Sequence, residues 1–300
     1  MGKVTIRRML TAFLLTAAAA APAGAEETIH HDTLFDEGRL LATGGVTEVE
    51  GAGGGGLAPW ALITGYGTSD GIGVNAHGTY IHLPSFTLTS EGVAVGLFDR
   101  VELSYAHQSF DTGNAGAKLG LGKGFTFDQD IYGAKVRLIG NAVYDQDSLL
   151  PQISAGLQYK KNDRDAIIHA IGGKRDEGVD YYLSAAKLFL SERVLVNVTV
   201  RETEANQFGI LGFGGDKNGG YSTQVEGSAA YLINRRWVVG AEYRTKPDNL
   251  GFAKEDNAYD VFTAYFLNKN LSLTLAYVDL GDIALQGKQN GVYVSLQAGF

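Results

Sequence analysis

Between residues 152 and 160 the chain is apolar at every second position. Ile153, Ala155, Leu157 and Tyr159 share one face, while Gln152, Ser154, Gly156, Gln158 and Lys160 share the other. The same rhythm runs through residues 194–201, where Val194, Val196, Val198 and Val200 oppose Asn197, Thr199 and Arg201. It recurs in 236–244 (Trp237, Val239, Ala241 and Tyr243 against Glu242 and Arg244), in 271–278 and in the last ten residues, where Val292, Val294, Leu296, Ala298 and Phe300 alternate with polar or small neighbours. Period two over about ten residues, broken by turn residues, is the pattern of a membrane β-barrel, apolar toward lipid and polar or small toward the lumen. Residues 179–190 and 259–267 carry apolar side chains on both faces and leave their orientation open.

A soluble sandwich alternates too. Two features favour the membrane. The chain holds 15 Tyr and 14 Phe, many near expected strand ends, where interfacial girdles belong. The connections also come in two sizes: tight turns at 191–193, 234–236 and 268–270, and longer loops at 111–124, 162–178, 205–220 and 246–257. Counted back from Phe300, the strands are 290–300, 270–280, 257–268, 236–245, 222–234, 193–204, 179–190, 151–161, 126–140, 99–110, 86–97, 71–82 and 57–67. An antiparallel barrel closes on an even number. The expectation is therefore a transmembrane, antiparallel, up-and-down, all-β barrel of 14 strands, with residues 38–49 as the fourteenth. The alternative is 12 strands, with everything before about residue 70 inside the barrel as a lumenal plug. On either count residues 38–300 form one domain, a monomer, after a polar lead-in at 26–37.

The first residues read as an export signal. Lys3, Arg7 and Arg8 precede an apolar run from residue 9 to 21, and Ala23-Gly24-Ala25 offers the small-x-small cleavage pattern. Thirteen helical residues span roughly 20 Å, short of a bilayer core, and no later stretch is apolar for long enough to cross as a helix. Removal of residues 1–25 leaves 22 Lys plus Arg against 33 Asp plus Glu, a net charge of −11, which argues against nucleic acid as a partner. With no cysteine, disulfides, thiolate nucleophiles and Cys-based metal sites are excluded. A strand ending on Phe300 carries the assembly signal of outer-membrane barrels, so the expected partners are outer-membrane lipid, the barrel-assembly machinery and a small solute.

Gly51, Gly53 and Gly56 spell G-x-G-x-x-G within VEGAGGGGLAPW. A dinucleotide loop opens a helix at its third glycine. Here Leu57-Ala58-Pro59-Trp60 and a strand-like, glycine-dotted run follow, and no βα alternation supports a doubly wound sheet. No cofactor is expected, and the glycines mark a tight connection or a close backbone approach. His30, His31 and Asp32 are too few to hold a metal alone, and His77, His82, His107 and His169 are scattered. H-E-x-x-H does not occur, no catalytic residue is assigned, and the chain is not expected to be an enzyme. Glu102, Lys135, Arg137, Lys160, Arg201, Glu226, Glu242 and Arg244 fall on the lumen face, either as a solvated filling or as a selectivity lining of mixed sign. In the loop 205–220, Phe208, Ile210, Leu211 and Phe213 are too apolar to wave in water, and the expectation is that they fold into the barrel mouth as a constriction.

The segments LLATGGVTEVEGAGGGGLAPWALITGYGT, VGLFDRVELSYAHQSFDTG, LGLGKGFTFDQDIYGAKVR, DQDSLLPQISAGLQYKKNDR and ANQFGILGFGGDKNG resemble a family of exported, outer-membrane proteins of Gram-negative bacteria, domain of unknown function 3034. The resemblance covers nearly the whole mature chain and implies an outer-membrane location. It supplies no activity, ligand or catalytic residue. The favoured function is a porin-like or substrate-selective channel for a small solute. The alternatives are a non-transporting envelope or surface-interaction barrel and, third, an outer-membrane enzyme.

Overall fold

A computed structural model describes residues 38–44 and 46–300. The expected export signal and lead-in, with His30, His31 and Asp32, lie outside the described residues. The first two strands, β1 (Val46–Thr47) and β2 (Gly53–Gly54), pair with each other as a short ribbon separate from the wall. The wall follows: β3 (Ile72–His82), β4 (Thr87–Leu97), β5 (Val101–Asp111), β6 (Thr126–Ile139), β7 (Gln152–Asn162), β8 (Glu177–Phe189), β9 (Val194–Thr203), β10 (Ser222–Asn234), β11 (Trp237–Arg244), β12 (Ala258–Phe266), β13 (Leu271–Asp282) and β14 (Lys288–Gly299). These strands pair antiparallel in sequence order, and β14 closes onto β3 from Val292 opposite His82 to Gly299 opposite Asn75.

The wall thus holds 12 strands, the alternative above, and the expectation of 14 is corrected. Closure between β3 and β14 leaves no sheet edge for residues 38–49 or 57–67 to join. Residues 57–67 are buried throughout, at odd and even positions alike. That is the signature of a segment enclosed on all sides, whereas a wall strand keeps one outward face. The other expected strands match β3–β14 to within two residues at each end.

Alternation decides which side of each strand faces out. On β9, Val196, Val198 and Val200 are exposed, while Asn197, Thr199 and Arg201 are buried. On β13, Leu275 and Tyr277 are exposed against buried Ser272, Thr274 and Ala276. The two ambiguous stretches resolve the same way. Tyr181 and Leu183 of β8 point out, as do Val261 and Tyr265 of β12, while Leu188, Phe262 and Phe266 are buried inside. Both faces are apolar there because the inner face meets protein instead of water. Outside, Tyr105, Tyr132 and Tyr159 sit on adjacent strands with ring centroids 5.2 and 6.4 Å apart. Where β11 begins, Trp237 and Tyr265 of β12 stack edge-on at 6.3 Å.

One rim carries mostly tight turns and the other mostly long loops. The turn 98–100 holds Phe98 at φ 56° and Asp99 at φ 47°, a left-handed conformation that most residues resist. Near the same rim Gly65, at φ 82°, lies against Gly73 of β3. A Cβ on Gly73 would stand 2.8 Å from the Gly65 Cα, so backbone passes backbone where only glycine fits.

Candidate functional site

Residues 47–67 are buried inside the barrel, and their hydrogen bonds show how they are held. Ser90 of β4 and Gln108 of β5 donate to the Val49 carbonyl at 2.6 and 2.7 Å. Gln152 and Ser154 of β7 donate to the Ala61 carbonyl. Ser184 of β8 and Thr199 of β9 donate to the Pro59 carbonyl, and Gln297 of β14 accepts from the Thr47 amide. With Lys135 of β6, Ser228 of β10 and Glu242 of β11, nine of the twelve strands grip the segment. A chain bonded to so many sides of a closed wall is a plug. Its irregular backbone finds side-chain partners where a strand would have used a ladder.

Three wall groups form its main anchors. Glu102 accepts from the amides of Gly53 (2.8 Å) and Thr64 (2.9 Å), and Lys135 beside it (3.1 Å) donates to the carbonyls of Gly53, Trp60 and Leu62 at 2.8–3.0 Å. Glu242 accepts from the amides of Gly56 (2.6 Å) and Leu57 (2.7 Å), from Ser228 (2.7 Å) and from the Trp60 indole (3.2 Å). The glycine run therefore does cradle an anion on successive backbone N–H groups, as nucleotide loops do, but the anion is the protein's own carboxylate. A side chain at Gly55 would collide with Glu242, and one at Gly56 would lie 3.0 Å from Asp260.

The third anchor is an ion cluster. Glu50 of the plug contacts Lys160, lies 2.7 Å from the Arg244 Nη1 and 3.8 Å from the Arg201 Nη2. Lys160 also meets Asp180 at 2.8 Å. Arg201 reaches Asp180 (3.1 Å), Glu226 (2.5 Å) and the Gln158 side-chain carbonyl (2.7 Å). Gln158 in turn donates to Glu48 at 2.7 Å. These charges are almost wholly removed from solvent, so each is stable only while its partners stay in place.

Above the cluster the loop between β9 and β10 folds inward. Phe208, Ile210, Leu211 and Phe213 are all buried. The Phe208 ring lies 4.3 Å from the Arg244 guanidinium, its carbonyl accepts from Gln129 and Lys160 at 3.3 Å, and Asn162 donates to the Ile210 carbonyl at 3.0 Å. Beside this loop Lys246 pairs with Glu255 at 3.0 Å, and burial pushes the Glu255 carboxyl above its ordinary range.

Of the eight lumen-face charges read from the sequence, seven are buried within the barrel, and six of these touch the plug directly. Glu226 acts through Arg201 and Arg244. Arg137 stands apart, partly buried at the turn rim and 2.7 Å from Asp99. The sequence reading missed Glu48 and Glu50, which lie in the plug, and Asp180 and Asp260, which lie in the two stretches with no clear face.

Among the described residues the histidines gather into no hydrolytic arrangement. His77 lies 3.3 Å from the Ser90 hydroxyl, but that hydroxyl donates to the Val49 carbonyl. His107 pairs with Asp130 at 2.9 Å on the outer face. Among the described residues no group of three or more His, Cys, Asp or Glu is placed to hold a metal ion.

Plug, charged lining and inward loop all fall within residues 43–297, which match the family model described as protein of unknown function (DUF3034). The chain belongs to this family. No curated protein matches it. Among solved structures this DUF3034 chain is similar to the KdgM porin, at 11% identity and a TM-score of 0.49 over 75% of this chain and 99% of that one. It is similar to the NanC porin at 10% identity and 0.46, over 75% and 98%, and to outer membrane phospholipase A from Escherichia coli at 11% and 0.42, over 76% and 92%. Similarity at this level says nothing of solute or chemistry.

Proposed function

We propose that this protein is an outer-membrane barrel of porin-like kind, closed by its own segment 38–67, which admits a small polar solute when that segment moves. The observation that carries the proposal is the contrast between an apolar outer face and an inner face set with buried charges. Lysine, arginine and glutamate lining a cylinder suit water or a polar solute, and charge on the outer face would cost about 2–4 kcal/mol near a bilayer midplane for Arg or Lys. Residues 1–25 would direct export, Phe300 would be read by the barrel-assembly machinery, and no cofactor or catalytic residue takes part.

A second reading, a permanently filled barrel serving the envelope or a surface partner, is favoured by the nine strands that grip the plug. Planar-bilayer recording separates the two. Full-length protein is expected to stay mostly closed, and deletion of 38–67 to give a steady conductance. Deletion of 207–215 alone changes little, because the plug lies beneath the loop, but raises conductance further when combined with loss of the plug. A closed trace at every voltage in all variants, each shown to be folded by its heat-dependent mobility on SDS gels, overturns the channel reading.

A further inference from the structure

Glu50 sits in a setting built for a carboxylate. It meets Lys160, Arg201 and Arg244 from three adjacent regions of the wall, and it is completely buried. Without the plug, among the described residues those three cations pair with Asp180 and Glu226, an excess of one positive charge. One carboxylate balances the group, and Glu50 brings one. Glu48 is surplus: its Oε2 is buried without a hydrogen-bond partner, 3.8 Å from Arg244. Over the cluster lies a cleft of about 10 Å³, room for about one water, bordered by Arg201, Thr203, Phe208, Arg244, Lys246 and Pro247. Guanidinium forks suit carboxylates in geometry as well as charge.

We infer that Lys160, Arg201 and Arg244 form a binding site for the carboxylate of a small organic anion, and that Glu50 is its resident occupant, a covalently tethered competitor. The inference deepens the channel reading by naming the solute class, and rests on that reading for its role in passage. The site itself stands without it. A solute carboxylate that takes the place of Glu50 leaves the cluster neutral and deprives the plug of one of its three anchors. The other charged groups facing the cluster are Glu48 from the plug, Asp180 and Glu226 from the wall, and Lys246 from the adjoining loop.

Full-length Glu50→Ala tests this with acetate as the probe. The truncation removes the tethered carboxylate and leaves space for a free one. Acetate is expected to restore the refolded fraction and the thermal midpoint of Glu50→Ala. The folded-to-unfolded ratio rises about tenfold when acetate is at roughly ten times its dissociation constant. Acetamide at the same concentration does nothing, and Glu50→Ala/Arg244→Gln no longer responds. Refolding yield reads the effect even if Glu50→Ala does not fold unaided, and Glu50→Gln, which keeps the space filled, is expected to ignore acetate. Equal rescue by acetamide or by chloride, or no rescue by acetate, overturns the site. Bilayer recording of the same variant isolates the other reading. Current that favours anions and falls on adding acetate supports both. Acetate rescue of folding with no current in any variant keeps the site and overturns passage, while current indifferent to acetate overturns the site alone.

Discussion

The outer and inner faces of this barrel use the same strands and obey different rules. On β9, Val196, Val198 and Val200 look outward and need only be apolar. Their neighbours Asn197, Thr199 and Arg201 look inward, and each has named partners: Asn197 the Ala61 amide, Thr199 the Pro59 carbonyl, Arg201 a set of carboxylates. Outer positions are therefore interchangeable among apolar residues, whereas inner positions are individually specified. Replacing an outer valine by another aliphatic leaves its surroundings as they were, but removing an inner group strands its partner in a place where water cannot replace it.

The largest expected effect tests that difference directly. Arg201→Ala leaves Asp180 and Glu226 short of a partner and is expected to cost about 3–5 kcal/mol, the range for breaking a buried ion pair from one side. Val198→Ala, three residues away and outward, is expected to cost a small fraction of that. Urea titration of the barrel in lipid vesicles, followed by gel mobility, gives both values, and equal losses would erase the distinction between the faces. Next in size is Gly55→Ala. The added methyl group meets the Glu242 carboxylate, so the plug must shift off its clamp at an expected cost of about 1–3 kcal/mol. Limited proteolysis should then cut within 47–67, a stretch that is buried in the wild type. Resistance equal to wild type would mean that the clamp yields without releasing the plug.

The same contrast explains what could be seen in the sequence. Period two marks a face, and a face was enough to set the twelve wall strands and seven buried charges. It fails wherever the inner face meets protein, as at Leu188, Phe262 and Phe266, because alternation depends on the two sides having different solvents. The plug has no period at all. Glu50 finds Lys160 110 residues later and Gly56 finds Glu242 186 residues later, contacts that no local pattern encodes. The strand count went wrong for that reason: residues 57–67 are apolar enough for a strand but belong to the filling. The partners of the glycine motif within the protein, Glu102 and Glu242, could be placed in the lumen but not matched to it.

Smaller effects belong to the rims, where neither rule governs. Phe98 holds φ at 56° in an exposed turn, and Phe98→Gly is expected to stabilise by about 1 kcal/mol through relief of that conformation. A loss of stability instead would show that the ring's contacts outweigh the backbone strain.

The smallest effect is at the loop rim. Asp216 accepts a 2.6 Å hydrogen bond from the Gly251 amide, tying the loop after β9 to the loop after β11. That bond, with further backbone N–H groups, holds the Asp216 carboxyl below its ordinary range. A carboxyl depressed in the folded state adds stability above its unfolded pKa and loses it as pH falls through the folded value. The tie should therefore hold at neutral pH and release as pH falls below the usual aspartate range. Amide hydrogen exchange at Gly251 reads this. Exchange, corrected for its intrinsic pH dependence, is expected to speed up as pH drops below the usual aspartate range, and Asp216→Asn is expected to remove that pH dependence without altering exchange in the buried plug. If Gly251 protection instead tracks the plug, rim and lumen open together, and the inner face extends its rule to the loops.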